Sequence, residues 1–228
     1  MDYNEATYKS KWRIQRFAHH SRYNLAKELC KHANSVLDYG TGSGYFLTLL
    51  STANKLTRLV GYEPVEDMFQ KAINETKGFD NIKLVNKLDF SEKFNYISCL
   101  EVLEHLEENK QIDVFKDCKK LLDEKGRMII SVPIETGLSG FFKNIFRYLT
   151  KHPHAKDITE VLQALFGLKM KRHDSDGYIY SHVGFRHRDL ESTILKEGIL
   201  IRQRVFSPFP LLGSFLNSQV FYIIEFNN

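Results

Sequence analysis

The nine residues Val36-Leu37-Asp38-Tyr39-Gly40-Thr41-Gly42-Ser43-Gly44 constrain this chain more than any other stretch. An apolar pair runs into a carboxylate and then into glycines at every second position, the pattern of a buried strand that stops abruptly at a ligand-bearing turn. With no Cβ in the way, amides of the turn and of the following helix can face a ligand's polar tail. These residues describe a nucleotide-type site.

The spacing narrows the ligand. A dinucleotide turn reads G-x-G-x-x-G, seats a pyrophosphate on a helix N-terminus and finds its ribose-binding acid about 20 residues later. Here the spacing is G-x-G-x-G, and Asp38 stands two residues before the first glycine. A carboxylate there repels a pyrophosphate and suits a cationic ligand without phosphate. S-adenosylmethionine is such a compound, with an ammonium group and a cationic sulfur. At these residues the chain resembles the class I S-adenosylmethionine-dependent methyltransferases, whose first motif is an acidic residue followed by G-x-G-x-G after a strand. Their second motif, an acidic residue ending the next strand, is matched by Leu59-Val60-Gly61-Tyr62-Glu63-Pro64. The resemblance implies S-adenosylmethionine as cofactor, with Asp38, Tyr39, Gly40, Thr41, Gly42 and Gly44 forming the turn against it. It also implies that Glu63, followed by Pro64, accepts both ribose hydroxyls. Asp38 and the glycine spacing weigh against the first alternative, an NAD-linked oxidoreductase. A cofactor-binding module without catalysis is the second.

A chain of 228 residues fits one domain, 1–228, with a full core. Hydrophobic residues at 43% and charged residues at 26% exclude a disordered chain. No apolar run approaches the roughly 20 residues of a membrane span. Met1 to Ser10 is polar, without a targeting h-region, and Cys30, Cys99 and Cys118 lack C-x-x-C spacing, so a cytoplasmic protein with reduced thiols is expected. The formal charge of +4 leaves room for an acidic substrate and does not call for nucleic acid. An RNA-directed enzyme would want a binding domain or a strong basic patch, and its N-methylating form an Asn/Asp-Pro-Pro-aromatic motif where this chain has Cys99-Leu100-Glu101-Val102.

Periodicity predicts one or two amphipathic helices over Ala6 to Lys31, jointed at His19-His20-Ser21-Arg22. They pack on the sheet edge or, as the resemblance implies, cap the pocket and offer Arg22 or Tyr23 to the methionyl carboxylate. Beyond the turn, the predicted elements are a helix Tyr45 to Ala53, a strand Arg58 to Tyr62 and a helix Val65 to Thr76 opened by Pro64. A strand Ile82 to Val85, a strand Phe94 to Leu100, a helix Asp113 to Leu122 and a strand Arg127 to Val132 follow. This alternation forces a doubly wound parallel sheet. Asn86-Lys87-Leu88-Asp89-Phe90 is similar to the family's adenine loop, with Leu88 along the base and Asp89 toward its exocyclic nitrogen. Leu100 and Glu101 should line the sulfonium side, since ligands sit beyond the carboxyl ends of parallel strands. Glu101-Val102-Leu103-Glu104-His105-Leu106 is closely similar to a segment of small-molecule O-methyltransferases, including those of ubiquinone biosynthesis. His105 is then a base or a helix cap.

Residues 134–186 interrupt the alternation without a strong strand signal and read as an inserted lid at the cofactor rim. Phe141 to Leu149 is aromatic and basic at helical spacing, either core packing or a face for an apolar or lipid-linked substrate at a membrane surface. The histidines gathered between His152 and His187 lack the spacing of a metal site, so no metal is expected. His182-Val183-Gly184-Phe185-Arg186-His187-Arg188-Asp189-Leu190 looks like a stretch in methyltransferases of bacterial surface polysaccharide and lipid pathways. Either His182 is a general base, or Asp189 starts a helix and Phe185 docks on the core. Ile199 to Phe206 and Val220 to Phe226 form a closing antiparallel hairpin. The expected fold is a Rossmann-like α/β domain with a seven-stranded sheet, order 3-2-1-4-5-7-6 with the last strand antiparallel. The expected activity is O-methylation of a small molecule or of a glycan or lipid-linked precursor.

Overall fold

The computed structural model describes residues 13–137, 140, 174–175, 178–179, 184–214 and 216–227. Five helices, α1 (Arg13–Leu29), α2 (Tyr45–Ala53), α3 (Glu66–Glu75), α4 (Glu108–Leu121) and α5 (His187–Lys196), flank one sheet among these residues. Its strands are β1 (Ser35–Tyr39), β2 (Arg58–Tyr62), β3 (Ile82–Val85), β4 (Phe94–Leu100), β5 (Leu122–Pro133), β8 (Leu200–Ser207) and β9 (Gln219–Glu225). They lie in the order β3-β2-β1-β4-β5-β9-β8, with β9 antiparallel to both of its neighbours. This is the expected 3-2-1-4-5-7-6 order. The extra pair β6 (Asp174–Ser175) and β7 (Tyr178–Ile179) forms a separate short antiparallel hairpin inside the insertion, where no strand was expected. Two residues per strand leave no periodicity to read.

Alternation along the central strands divides the core in two. Leu37, Ile97, Cys99 and Ile130 face α4 and α5, whose Val114, Phe115, Leu190 and Ile194 cover that side. Val36 and Ile129 face α1 and α2 with Ala26, Phe46, Leu47 and Leu50. Among the described residues no helix is long and apolar enough to cross a membrane.

Several boundaries differ from the sequence reading. Helix α1 runs unbroken through His19-His20-Ser21-Arg22. His19 is buried, its ring 4.9 Å from that of Tyr23, so the expected joint is packing surface. Pro64 does not open α3: Val65 is the N-cap and Glu66 the first helical residue. Helix α4 begins at Glu108, five residues before the expected start at Asp113, because buried Gln111 ties its first turn to the carbonyls of Leu103 (2.8 Å) and Leu106 (3.1 Å). Strand β5 starts at Leu122, directly after α4, and carries a bulge before Arg127: Phe94 pairs with Leu122 and Tyr96 with Arg127, and Gly126 is folded close against the Asp123 backbone. The run 141–149 and His182 lie outside the described residues.

Candidate active site

Three acidic residues stand at the carboxyl ends of neighbouring parallel strands: Asp38 in β1, Glu63 after β2 and Glu101 after β4. The glycine turn between the first two is stitched to the end of β2, since the amides of Gly40 and Thr41 both donate to the Tyr62 carbonyl, at 2.9 and 3.0 Å. Gly40 has φ +75°, and a Cβ there would fall 2.6 Å from Cγ2 of Val102 in the loop after β4. At Gly42, φ +58°, the nearest atom a Cβ would meet is Cε of Met68 at 3.7 Å. The first glycine is therefore required by packing. The second borders open space, where a ligand can approach the backbone. Gly44, also at positive φ, is the N-cap of α2.

Asp38 is buried beneath this turn, and its two oxygens accept hydrogen bonds from Thr41 Oγ1 (2.8 Å) and Ser98 Oγ (2.7 Å). Strand register explains the second contact, because Asp38 pairs with Ser98 across β1 and β4. Burial pushes its carboxyl up to about 6, against the lowering effect of the two hydroxyls. Glu63 is also buried; Oε2 accepts the Gly42 amide at 2.8 Å and Oε1 the Val65 amide at 3.0 Å. Desolvation raises its pKa, opposed by those amides. Exposed Pro64 follows it.

Glu101 has φ +59°, the one non-glycine residue with positive φ among those described. Its carboxylate meets the Arg22 guanidinium at 3.0 Å and accepts from Ser131 Oγ at 3.3 Å. Arg22 therefore holds α1 across the end of β4. The helix is further fixed by Tyr23, whose ring lies 5.1 Å from Tyr45 and 6.0 Å from Phe46 on α2. Leu100 packs on the same side of the sheet. His105, in a short 3-10 turn after β4, has Nδ1 2.7 Å from the carbonyl of Ile179 in the insertion hairpin. A carbonyl only accepts, so Nδ1 carries the proton and Nε2 is the basic nitrogen of the neutral ring.

The remaining sequence candidates make contacts of their own. Tyr39 points to the opposite face and packs edge-on against Tyr62 at 4.9 Å. Leu88 leans on the core beyond β3. Asp89 is exposed, its carboxylate accepting the Ser91 amide (3.0 Å) and hydroxyl (2.6 Å), and these bonds lower its pKa. Ser98 and Ser131 were not singled out from the sequence. The signal available was a lone serine in each of two apolar strands, Phe94–Leu100 and Leu122–Pro133.

A methyltransferase-domain family model matches residues 10–166, more than half of the chain. The chain belongs to that family. It is an S-adenosylmethionine-dependent methyltransferase, and S-adenosylmethionine is its cofactor. No curated protein sequence matches it. Among solved structures it is similar to the PH0226 protein from Pyrococcus horikoshii OT3, at 17% identity over 97% of this chain and 96% of that one, TM-score 0.64. It is also similar to an S-adenosylmethionine-dependent methyltransferase from Clostridium acetobutylicum ATCC 824, at 14% identity over 99% of both chains, TM-score 0.63. Magnesium protoporphyrin IX methyltransferase from Synechocystis PCC 6803, solved with bound SAH, shares 13% identity over 96% of this chain and 91% of that one, TM-score 0.60. At these identities the likeness speaks for the fold.

Proposed function

We propose that the crevice holds S-adenosylmethionine between Asp38, Glu63 and Glu101 and that its methyl group goes to a hydroxyl oxygen of a small molecule or of a glycan or lipid-linked precursor. The donor set suits the cofactor: carboxylates face a cationic compound, and the open side of Gly42 leaves room for it. Each Glu63 oxygen spends one lone pair on a backbone amide and keeps another for a ribose hydroxyl. Asp38 places negative charge beneath the turn. Arg22 and Glu101 offer opposite charges to the two ends of an amino acid. Leu88 and Leu100 supply apolar surface for the base and the sulfonium side, while Asp89 would have to release Ser91 to reach an adenine edge.

When bound, the cofactor supplies an electrophilic methyl on sulfur. The protein's own task is to align the acceptor and move a proton. In-line displacement is helped chiefly by positioning, and a hydroxyl additionally needs a base to take its proton. His105 carries this reading, because its bond to Ile179 orients the ring and fixes its tautomer. His182 is retained as a second candidate base. The test is transfer of an isotopically labelled methyl group into extracts of small metabolites and lipid-linked glycans, followed by resonance assignment of the product. A methyl on oxygen supports the assignment; a methyl on nitrogen or carbon overturns it. His105→Gln should lower kcat by roughly a hundredfold or more, the usual scale of base catalysis, with cofactor affinity unchanged in calorimetric titration.

A further inference from the structure

Four neighbouring strands each set one buried polar side chain near the crevice rim, all on the face packed by α1 and α2: Asp38 on β1, Ser98 on β4, Ser131 on β5 and Gln219 on β9. The shared face follows from the pleat. Ile129 and Phe221 pack beneath those helices, and Ser131 and Gln219 stand two residues from them toward the rim, where successive side chains alternate. Three of the four have partners: Ser98 donates to Asp38 at 2.7 Å, and Ser131 to Glu101 at 3.3 Å. Gln219 is only 6% exposed, and its Oε1 is buried with no hydrogen-bond partner. Pro133, opposite it on β5, has no amide hydrogen to offer. Gln111, equally buried, shows what a structural glutamine does in this fold, its amide donating to two carbonyls. A buried acceptor left unmet costs stability that an apolar side chain of the same size would not.

Its position gives the group a task. Along the rim, the residues proposed to hold the cofactor belong to β2, β1 and β4, so the methyl group ends beside Glu101 and the next strands, β5 and β9, border the acceptor. Neighbouring strands lie about 4.8 Å apart, which puts the backbone of Gln219 about 10 Å from that of Glu101 across β5. One sugar ring with its substituents fills such a span. The last torsion of a glutamine is broad, so the amide turns toward a guest at little cost. We propose that Gln219 is the acceptor-binding residue of this crevice: its side-chain carbonyl takes a hydrogen bond from a hydroxyl of the methyl acceptor, about one ring width from the atom that is methylated. The acceptor is then a polyhydroxylated compound of sugar type and not a simple alcohol or phenol. This role rests on the seat proposed above for the cofactor, and not on which atom of the acceptor receives the methyl group.

The test uses the full chain with saturating S-adenosylmethionine and, as probe, the extract fraction of small metabolites and lipid-linked glycans that the wild type labels, offered at graded dilution. Gln219→Met, close in size and unbranched, should need roughly tenfold more of that fraction for half-maximal labelling, the scale of one hydrogen bond to a buried group, with the maximal rate within about twofold. Its affinity for S-adenosylhomocysteine in calorimetric titration should match that of the wild type. Its denaturation midpoint should be equal or higher, whereas Gln111→Met should lower the midpoint, because two carbonyls lose their donor. Resonance assignment of the labelled product should show a free hydroxyl on the ring that carries the new methyl group or on its neighbour. Unchanged half-saturation, a lower midpoint or a loss of cofactor affinity in Gln219→Met, a product without a free hydroxyl, or no labelled fraction from a well-folded wild type would each overturn the proposal. A methyl found on nitrogen or carbon of a hydroxylated product, with the shift in half-saturation intact, would remove the oxygen assignment and support the role given to Gln219.

Discussion

Asp38 shows most directly how a buried carboxylate, here proposed to face a cationic ligand, weakens the protein that carries it. Its carboxyl titrates at about 6 in the fold, against 3.8 in the open chain. The folded state thus binds this proton more tightly, and the stability linked to it is full below pH 3.8 and lost as pH rises through 6. The ionised form costs about 3 kcal/mol. Asp38→Asn can keep both hydroxyl partners, because an amide accepts from Ser98 and donates to Thr41. It should raise the melting temperature near neutral pH, with the gain vanishing in acid, and should weaken binding of S-adenosylmethionine. Wild-type affinity for that cation should fall as pH drops below 6, and in Asp38→Asn this dependence should disappear; calorimetric titration on either side of that pH checks both. His187 behaves oppositely. Burial, then Arg188, lowers its pKa from 6.5 to about 4, while Glu191 and Asp189 pull it upward, so its contribution is lost as pH falls through that window. Its Nδ1 is buried without a hydrogen-bond partner. His187→Leu should stabilise by about 1 kcal/mol near neutral pH and by more in acid, read from denaturation midpoints.

At the level of elements, the pieces that define the crevice are held by a few cross-links. The Arg22 pair with Glu101 joins α1 to the end of β4, and both partners are largely withdrawn from water. Arg22→Leu takes the guanidinium away from that carboxylate and should cost about 2–4 kcal/mol in denaturant unfolding, besides weakening cofactor binding. Asn217→Ala removes three hydrogen bonds from a closed loop and should cost about 2–4 kcal/mol by the same measurement. The sequence made α2, β2, β3 and β4 legible to the residue, since each is a short apolar run between glycine or polar stops. It hid the start of α4, where Gln111 does a buried job in a polar stretch, and the unbroken course of α1. Asp38 and Glu63 could be read locally because each stands at the end of a strand. Ser98, Ser131 and the Arg22 partnership could not, because they arise from sheet register and from a helix folding back over the strand ends.

On the scale of the whole molecule, the sheet sorts tasks between its ends. The glycine turn, Glu63, Glu101, the exit of β5 and the β8–β9 loop share one rim, and Leu56 marks the other. The groups proposed to bind the donor come from the first half of the chain, through β4 and its following loop, whereas the insertion leaves after Pro133. Antiparallel β9 then brings Gln219 back beside Pro133. That reversal sets departure and return side by side, Ile134 donating its amide to the Ser218 carbonyl at 2.9 Å, so the long excursion is tied off at its base while α5 and β8 within it stay part of the core. A lineage built this way can change what it modifies while keeping what it spends.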